Sequence, residues 1–413
     1  MAIVLSQFFI SATTKKPYKT LLCHVLIFVF TYFFYDKFSL LFNTTYDGNS
    51  YHRPAITLLI NGWNPLFEPL GQNIQHDWIK YFPKAPWIIQ ACLITTFAKF
   101  GWGAKVLNLL FGVCAGLFSY QTFCKLKISK SPAILILLSL CAILTPVFTL
   151  QLKTFMVDGI LFCEIVILIS ILISLFKEKT FLNYSLYFMI LCLLLNTKLS
   201  AIATFGVILL FYLIHLKNKK DIIKFCKISL IFTLIGLFFV GFNPYSTNLI
   251  HKHNPFYPIG SKVLNITKTP KVLENKTRVE RLFLSIFSKV HNIQDEEKFE
   301  LKLPFLIYKE EIFNLMHDTR VSGFGVLFGL AFLISNLALF FLKKEEEFKN
   351  LILFLLCLIA TALINPECYW ARFIPQLSLY PLSVCAFAIK NNRKIIATTL
   401  FIIIILNQTL IIF

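Results

Sequence analysis

The sequence is short of charge, and shortest of acid. Only 15% of its 413 residues are charged, with 21 Asp and Glu against 40 Lys and Arg. A soluble domain carries about 25% charged residues, so this chain lacks the polar surface that would cover a soluble core of its size. It lacks the ten-residue alternation of a membrane barrel, which leaves helices as the spanning elements, since lipid offers no partner to an unpaired backbone group. It has eleven cysteines but no Cys-x-x-Cys pair, and most of them (Cys114, Cys141, Cys163, Cys192, Cys226, Cys357 and Cys385) fall inside apolar runs. That pattern argues against a disulfide framework or a zinc site. No P-loop, G-x-S-x-G or H-E-x-x-H occurs, which counts against an ATP-driven pump. No small-residue cleavage site follows the first apolar run, so that run reads as a retained span. No repeat of 20–50 residues and no inverted pair of broken helices is visible, which counts against a transporter.

What the chain does have is apolar length. Hydrophobic residues make up 57% of it. The expected fold is all-α, a polytopic integral membrane helix bundle. Spans are predicted at about 20–35, 104–123, 132–150, 155–175, 181–197, 199–215, 226–241, 323–342, 350–365, 376–389 and 395–413, on the rule that about 30 Å of hydrocarbon needs roughly 20 apolar residues. The stretch 86–100 is short and opens with Pro86-Trp87. The formal charge of +19 reads as topology lysines at span ends, with no nucleic-acid partner. If 86–100 is interfacial, the clusters Lys15/Lys16/Lys19, Lys125/Lys127/Lys130, Lys177/Lys179, Lys217/Lys219/Lys220/Lys224, Lys343/Lys344/Lys349 and Lys390/Arg393/Lys394 all fall on one side, the cytoplasmic side by the positive-inside rule. This gives eleven spans in one transmembrane domain, 1–413. Two long extracytoplasmic loops follow from it: 36–103, with interfacial helices, and 242–322. Val279–Val290 in the second loop has helical apolar spacing.

The ionisable residues gather at the outer ends of these spans. Asp47, some ten residues past the first span, is a candidate general base, with His52 to share its proton or orient it. The other reading of Asp47-Gly48 is a solvated turn. Lys84, ahead of Pro86-Trp87, is a candidate phosphate ligand or a snorkelling interfacial lysine; His76, Asp77 and Lys80 precede it. Asp158 stands at the outer end of a span, where a carboxylate is costly and usually paired or functional. Lys153 is its expected partner. Glu164 lies two turns deeper and is expected to pair with a cation from another span. Lys198, in a tight external turn, breaks the positive-inside trend and suits an anion. Arg372, in a Glu–Arg loop, suits bidentate phosphate recognition. Tyr51, Arg53, Glu367 and Tyr369 are candidate substrate contacts beside them. Asn43-Thr44-Thr45 and Asn265-Ile266-Thr267 match glycosylation acceptors.

Certain segments then resemble the GT-C class of polyprenyl-phosphate-dependent glycosyltransferases. They are Tyr46-Asp47-Gly48-Asn49-Ser50-Tyr51-His52, Lys84-Ala85-Pro86-Trp87, Gln151 to Asp158, Asn243-Pro244-Tyr245 with Asn254-Pro255-Phe256-Tyr257-Pro258, and Arg372-Phe373-Ile374-Pro375. The resemblance implies an inverting transferase in a bacterial inner membrane, its active site on the periplasmic face. Asp47 would be the base and Asp158 a second acid near the donor or a divalent metal ion. Lys84 and Arg372 would be donor-phosphate ligands, joined by Lys198. The donor would be a polyprenyl-phosphate sugar and the acceptor a glycan, lipid or protein. The first loop departs from the class in lacking two acids at close spacing. Two alternatives remain open: a flippase or transporter of lipid-linked saccharide, and a surface-polysaccharide polymerase or ligase that uses His251, Lys252 and His253.

Overall fold

The computed structural model describes residues 17–68, 70–71, 74–97, 101–261, 269–292 and 299–411. Lys15, Lys16 and the triplet Asn265-Ile266-Thr267 lie outside them, as does the side chain of His76. The described chain is all helical. It has no strand, only two isolated bridges, Ser288 with Leu301 and His291 with Val321. The main helices are α1 (Pro17–Ser39), α2 (Arg53–Ile60), α3 (Ile74–Tyr81), α4 (Ala85–Phe97), α5 (Val106–Lys125), α6 (Pro132–Ile143), α7 (Asp158–Lys177), α8 (Phe181–Thr197), α9 (Ser200–His215) and α10 (Lys219–Ile235). After the second loop, which holds α11 (Arg278–Phe287), come α12 (Phe328–Leu342), α13 (Phe348–Leu363), α14 (Leu379–Lys390) and α15 (Lys394–Thr409).

Among the described residues, four helical stretches are long and apolar enough to cross a membrane: Leu21–Ser39, Gly101–Lys125, Asp158–Lys177 and Lys219–Val240. The chain is a helical membrane protein. Each of these four overlaps one of the expected spans, the last beginning seven residues earlier than the expected 226–241 and taking in Lys219, Lys220 and Lys224. Several others are shorter apolar helices of 10–17 residues. The expected span 132–150 is interrupted, because Pro146 forces Thr145 into an extended conformation (ψ 154°) and a new short helix, Pro146–Gln151, begins there. The expected span 323–342 starts later, at Phe328. Before it, Gly325 takes a positive φ of 103°. Asn407 of α15 binds both sides of that turn, accepting from Leu327 N (2.8 Å) and donating to the Phe324 carbonyl (2.9 Å). Helix α4 has 13 residues, about 20 Å at 1.5 Å per residue, short of the hydrocarbon thickness.

Helix α7 is the axis of the bundle. Between Asp158 and Lys177 its sequence is apolar on nearly every face, with Glu164 the one charged residue, which suits a helix buried on every side, and it packs against α5 and α8. By contrast, α1 presents Leu21, Leu22, Leu26 and Val29 outward, a face suited to lipid. Polar ties cross between helices where lipid would leave a group unpaired. The Tyr187 hydroxyl donates to Ser229 (2.9 Å), Asn196 Nδ2 to the Gly236 carbonyl (2.8 Å), and the Tyr380 hydroxyl to Asn336 Oδ1 (3.0 Å).

The second loop is tied down rather than loose. Helix α11 begins with a capping box, Thr277 Oγ1 accepting from Glu280 N (3.3 Å) and Glu280 Oε2 from Thr277 N (2.7 Å). It buries Leu282, Ser285 and Ile286, as its apolar spacing predicts. Glu311, 1% exposed, pairs with Lys302 (2.6 Å) and accepts from the backbone N of Val290 (2.9 Å) and Tyr308 (3.1 Å). Lys302 also donates to the Val326 carbonyl (2.9 Å). Glu311→Ala is expected to strand a buried ammonium and destabilise the protein by about 3–5 kcal/mol. The combined Lys302→Met/Glu311→Gln variant is expected to cost less. Thermal unfolding of the purified variants checks the order.

Candidate functional site

Residues 43–52 build the first wall of the site. Asn43 and Thr45 are buried, at 5% and 1% exposure, and form a polar knot. Thr45 Oγ1 donates to Asn43 Oδ1 (3.0 Å) and accepts from Gly48 N (3.0 Å), while Asn43 Nδ2 donates to Asn49 Oδ1 (3.0 Å). Asn43 Oδ1 also accepts from Phe155 N (3.2 Å), tying this wall to the segment before α7. The first glycosylation triplet is thus enclosed. Asp47-Gly48 is not a solvated turn either: Asp47 is helical (φ −57°, ψ −42°) and leads into a π-turn, Gly48–His52. A Cβ on Gly48 would sit 2.2 Å from Thr45 Oγ1 and 2.4 Å from Asn43 Nδ2. Gly48→Ala is therefore expected to break the knot and cost about 1–3 kcal/mol, read as a lowered unfolding midpoint.

The second wall is the segment 151–158. Asn108 of α5 holds it by donating to the carbonyls of Gln151 and Thr154, both at 2.9 Å. Gln151 Oε1 accepts from Gly159 N (2.9 Å), and its Nε2 donates to Asp158 Oδ2 (3.2 Å) and to the His317 carbonyl (3.2 Å). Asp158 opens α7, where the unpaired N–H groups of a helix start favour a carboxylate. Its cation is not Lys153, which is exposed, but Lys198, whose ammonium donates to Asp158 Oδ1. Lys198 is the extended residue between α8 and α9 and lies 4.0 Å from the Phe373 ring centroid.

Arg372 closes the site. Its Nη1 donates to Asp47 Oδ2 at 2.7 Å and lies 3.9 Å from Asp158 Oδ2, and its Nε makes an ion pair with Asp318 Oδ1 at 2.9 Å. The Nη2 nitrogen takes part in none of these contacts. The guanidinium stacks on Trp370 (4.2 Å), whose ring Arg320 also approaches (4.7 Å). Burial opposes the charge on Arg372, but Asp158, Asp47 and Asp318 more than offset it and hold its pKa above the ordinary arginine value. Burial also raises the Asp318 carboxyl to about 6, against the pull of Arg372. The loop carrying Arg372 is anchored from α11, with Ser285 Oγ donating to the Tyr369 carbonyl (2.5 Å).

Four expected residues therefore meet: Asp47, Asp158, Lys198 and Arg372. Tyr51 and His52 border them. The Tyr51 hydroxyl is within hydrogen-bonding reach of Asp47, and burial raises its pKa; its ring stacks on Trp78 at 5.8 Å. His52 Nδ1 accepts from Trp87 Nε1 (2.7 Å), and burial lowers its pKa to about 4. The ring is neutral at neutral pH, with its proton on Nε2, so it serves as a donor. Four others lie apart. Arg53 stacks on Trp102 at 4.1 Å. Lys84, 2% exposed, donates to the carbonyls of Lys80 (3.1 Å) and Phe82 (2.9 Å), and burial lowers its ammonium to about 7. Glu367 accepts from Thr269 Oγ1 (3.3 Å), and Tyr369 packs with Leu273 and Trp370. Among the described residues Glu164 meets no cation; its Oε1 accepts from Thr197 Oγ1 (2.8 Å).

Asp318, Gln151 and the Trp370 stack complete the site beyond the residues expected to form it. Among the described residues, no group of three His, Cys, Asp or Glu side chains could hold a metal ion. Asp158 is also a poor metal ligand here: one oxygen faces an ammonium and the other an amide N–H. The cluster is instead a mesh of three carboxylates and two cations. With every group ionised the cluster carries one negative charge in excess, so it can meet an anion only at donors of Arg372 or Lys198 that the carboxylates leave unused, and it can accept a proton at its most exposed carboxylate. No protein-family description, curated protein or solved structure compared with the chain matches it.

Proposed function

We propose that this protein is an inverting glycosyltransferase that moves a sugar from a polyprenyl-phosphate carrier to a glycan, lipid or protein acceptor at the outer face of a bacterial inner membrane. The topology in this reading has eleven spans, the lysine clusters inside and the loops 36–103 and 242–322 outside. The observation that carries the proposal is the convergence of Asp47, Asp158, Lys198, Asp318 and Arg372, from five separate segments, on one end of the bundle. A lipid-phosphate donor needs cations at headgroup depth to take up charge as the phosphate departs. It also needs a carboxylate beside them to take the acceptor's proton.

Asp47 is the weaker base, since it accepts hydrogen bonds from both Arg372 Nη1 (2.7 Å) and Tyr51, whereas Asp318 faces Arg372 Nε at 2.9 Å without a hydrogen bond. Asp318 is the better one. Its pKa near 6 lies close to working pH, and its side chain is 38% exposed against 22% for Asp47. In this mechanism Asp318 takes the acceptor's proton as the acceptor oxygen or nitrogen bonds to the anomeric carbon. The anomeric C–O bond breaks on the opposite side, and the polyprenyl phosphate leaves with the electron pair. Arg372, through Nη2, and Lys198 hold its charge. Asp47 and Asp158 keep the two cations in place, and no metal enters any step.

One observation favours a second reading, a saccharide-lipid transporter: Glu164, 0% exposed, lies within the membrane-length helix α7 with Oε2 unpartnered. The deciding measurement is sugar transfer by the purified protein from a panel of synthetic polyprenyl-phosphate sugars. Transfer supports the enzyme. Movement of saccharide-lipid across proteoliposomes without transfer from any donor supports the transporter.

A further inference from the structure

A second feature lies at the other end of α7. This helix has 20 residues, so about 30 Å separates its ends, and Lys177 at its far end stands on the rim of a large cavity. The cavity has a volume of about 710 Å³ and lies between α5, α7, α9, α13 and α14. Its walls are apolar, with Val166, Ile173, Ile208, Phe354 and Phe387 among them. Its mouth carries Lys125, Lys127, Lys177 and Lys390 with a single acid, Glu347. Glu347 is matched by Lys390 at 2.7 Å.

Of the other three lysines, Lys125 and Lys177 are held by neutral acceptors. Lys125 Nζ donates to Ser174 Oγ (2.8 Å), and Lys177 Nζ donates to the Lys125 carbonyl. These contacts fix the two ammonium groups at the mouth without cancelling their charge. A polar solute would leave its hydrogen-bonding groups unpaired against such walls. A neutral lipid would leave the rim charge unanswered. An anionic lipid satisfies both, its chains inside and its phosphate at the mouth. Basic pockets between transmembrane helices bind such headgroups, and the volume is in the range of ligand sites.

We infer that the lysine-rimmed cavity is a binding site for an anionic phospholipid of the leaflet opposite the charge cluster. It is independent of sugar transfer and stands whether or not that reading holds.

The test is native mass spectrometry of the full-length protein in mixed micelles of phosphatidylglycerol and phosphatidylcholine. The wild type is expected to retain phosphatidylglycerol at least tenfold over phosphatidylcholine. Lys125→Gln/Lys127→Gln/Lys177→Gln is expected to lose that preference, and the same three positions changed to Arg to keep it. Ile173→Trp, which fills the cavity and leaves the rim charge, is expected to lose the bound lipid. Unfolding midpoints identify any Gln variant that has failed to fold, in which case the Arg and Trp variants decide. Equal retention of the two lipids, or undiminished retention by Ile173→Trp, overturns the inference. Displacement of phosphatidylglycerol by polyprenyl phosphate at equal concentration, or by millimolar inorganic phosphate alone, overturns the phospholipid assignment.

Discussion

Arg372→Ala is expected to reduce transfer by at least about 10²-fold and to lower the stability of the protein. Both effects come from the same guanidinium. It is 10% exposed and touches Asp47, Asp158 and Asp318. Removing it leaves these carboxylates facing one another with only Lys198 between them. Breaking a buried pair by deleting one partner costs about 3–5 kcal/mol. Losing one preorganised donor to a developing anion costs about 10²- to 10³-fold in rate. The two effects are separable. Pairing Arg372→Ala with Asp47→Asn removes one of the stranded charges, so part of the stability returns. Transfer does not return with it if the guanidinium binds the donor phosphate. Arg372→Lys keeps a charge but loses the planar fork that reaches several oxygens at once, and it is expected to fold better than Arg372→Ala while transferring little. A folded Arg372→Ala variant with wild-type transfer would remove Arg372 from the site. Transfer rates and thermal midpoints on the same preparations decide among these outcomes.

The parts of the architecture that depend on local pattern were readable from the chain. The helices α8 and α9 fall at Phe181–Thr197 and Ser200–His215, against expected spans of 181–197 and 199–215, because an apolar run ends at the polar break Asn196–Ser200. Asp158, Lys198 and Arg372 were visible for a related reason: each is an ionisable residue at the end of an apolar run, where burial makes an unpaired charge expensive. Their mutual pairing was not visible. It depends on contacts such as Gln151 with the His317 carbonyl, 166 residues apart, and no local periodicity encodes these. Lys153 looked like the partner of Asp158 because it is near in sequence, yet the turn before α7 leaves it exposed. Asp318 was missed because it sits in the long second loop between His317 and Thr319, where one acid among several charged residues carries no signal. Only the fold of that loop, pinned by Glu311 and Lys302, brings it to Arg372. Lys84 shows the opposite case. Its Lys-Ala-Pro-Trp setting suggested a phosphate ligand, but its ammonium caps the backbone carbonyls of Lys80 and Phe82.

Asp318→Asn is expected to reduce transfer by about 10²- to 10⁴-fold, the usual contribution of a positioned general base. The pH dependence gives it a signature that a structural role lacks. The base must be ionised to accept a proton. With a carboxyl pKa of about 6, kcat/KM is expected to rise tenfold per pH unit below 6 and to level off above it. Asparagine has nothing to titrate, so this limb flattens in the variant while the residual rate stays low at every pH. Asp47→Asn gives the contrast. It removes one partner of Arg372 at 2.7 Å but leaves Asp318 in place, so the rate falls while the limb near pH 6 persists. The assignment fails if Asp318→Asn keeps that limb. The proton would then go to Asp47, the next most exposed carboxylate on Arg372, and Asp47→Asn would be the variant in which the limb disappears.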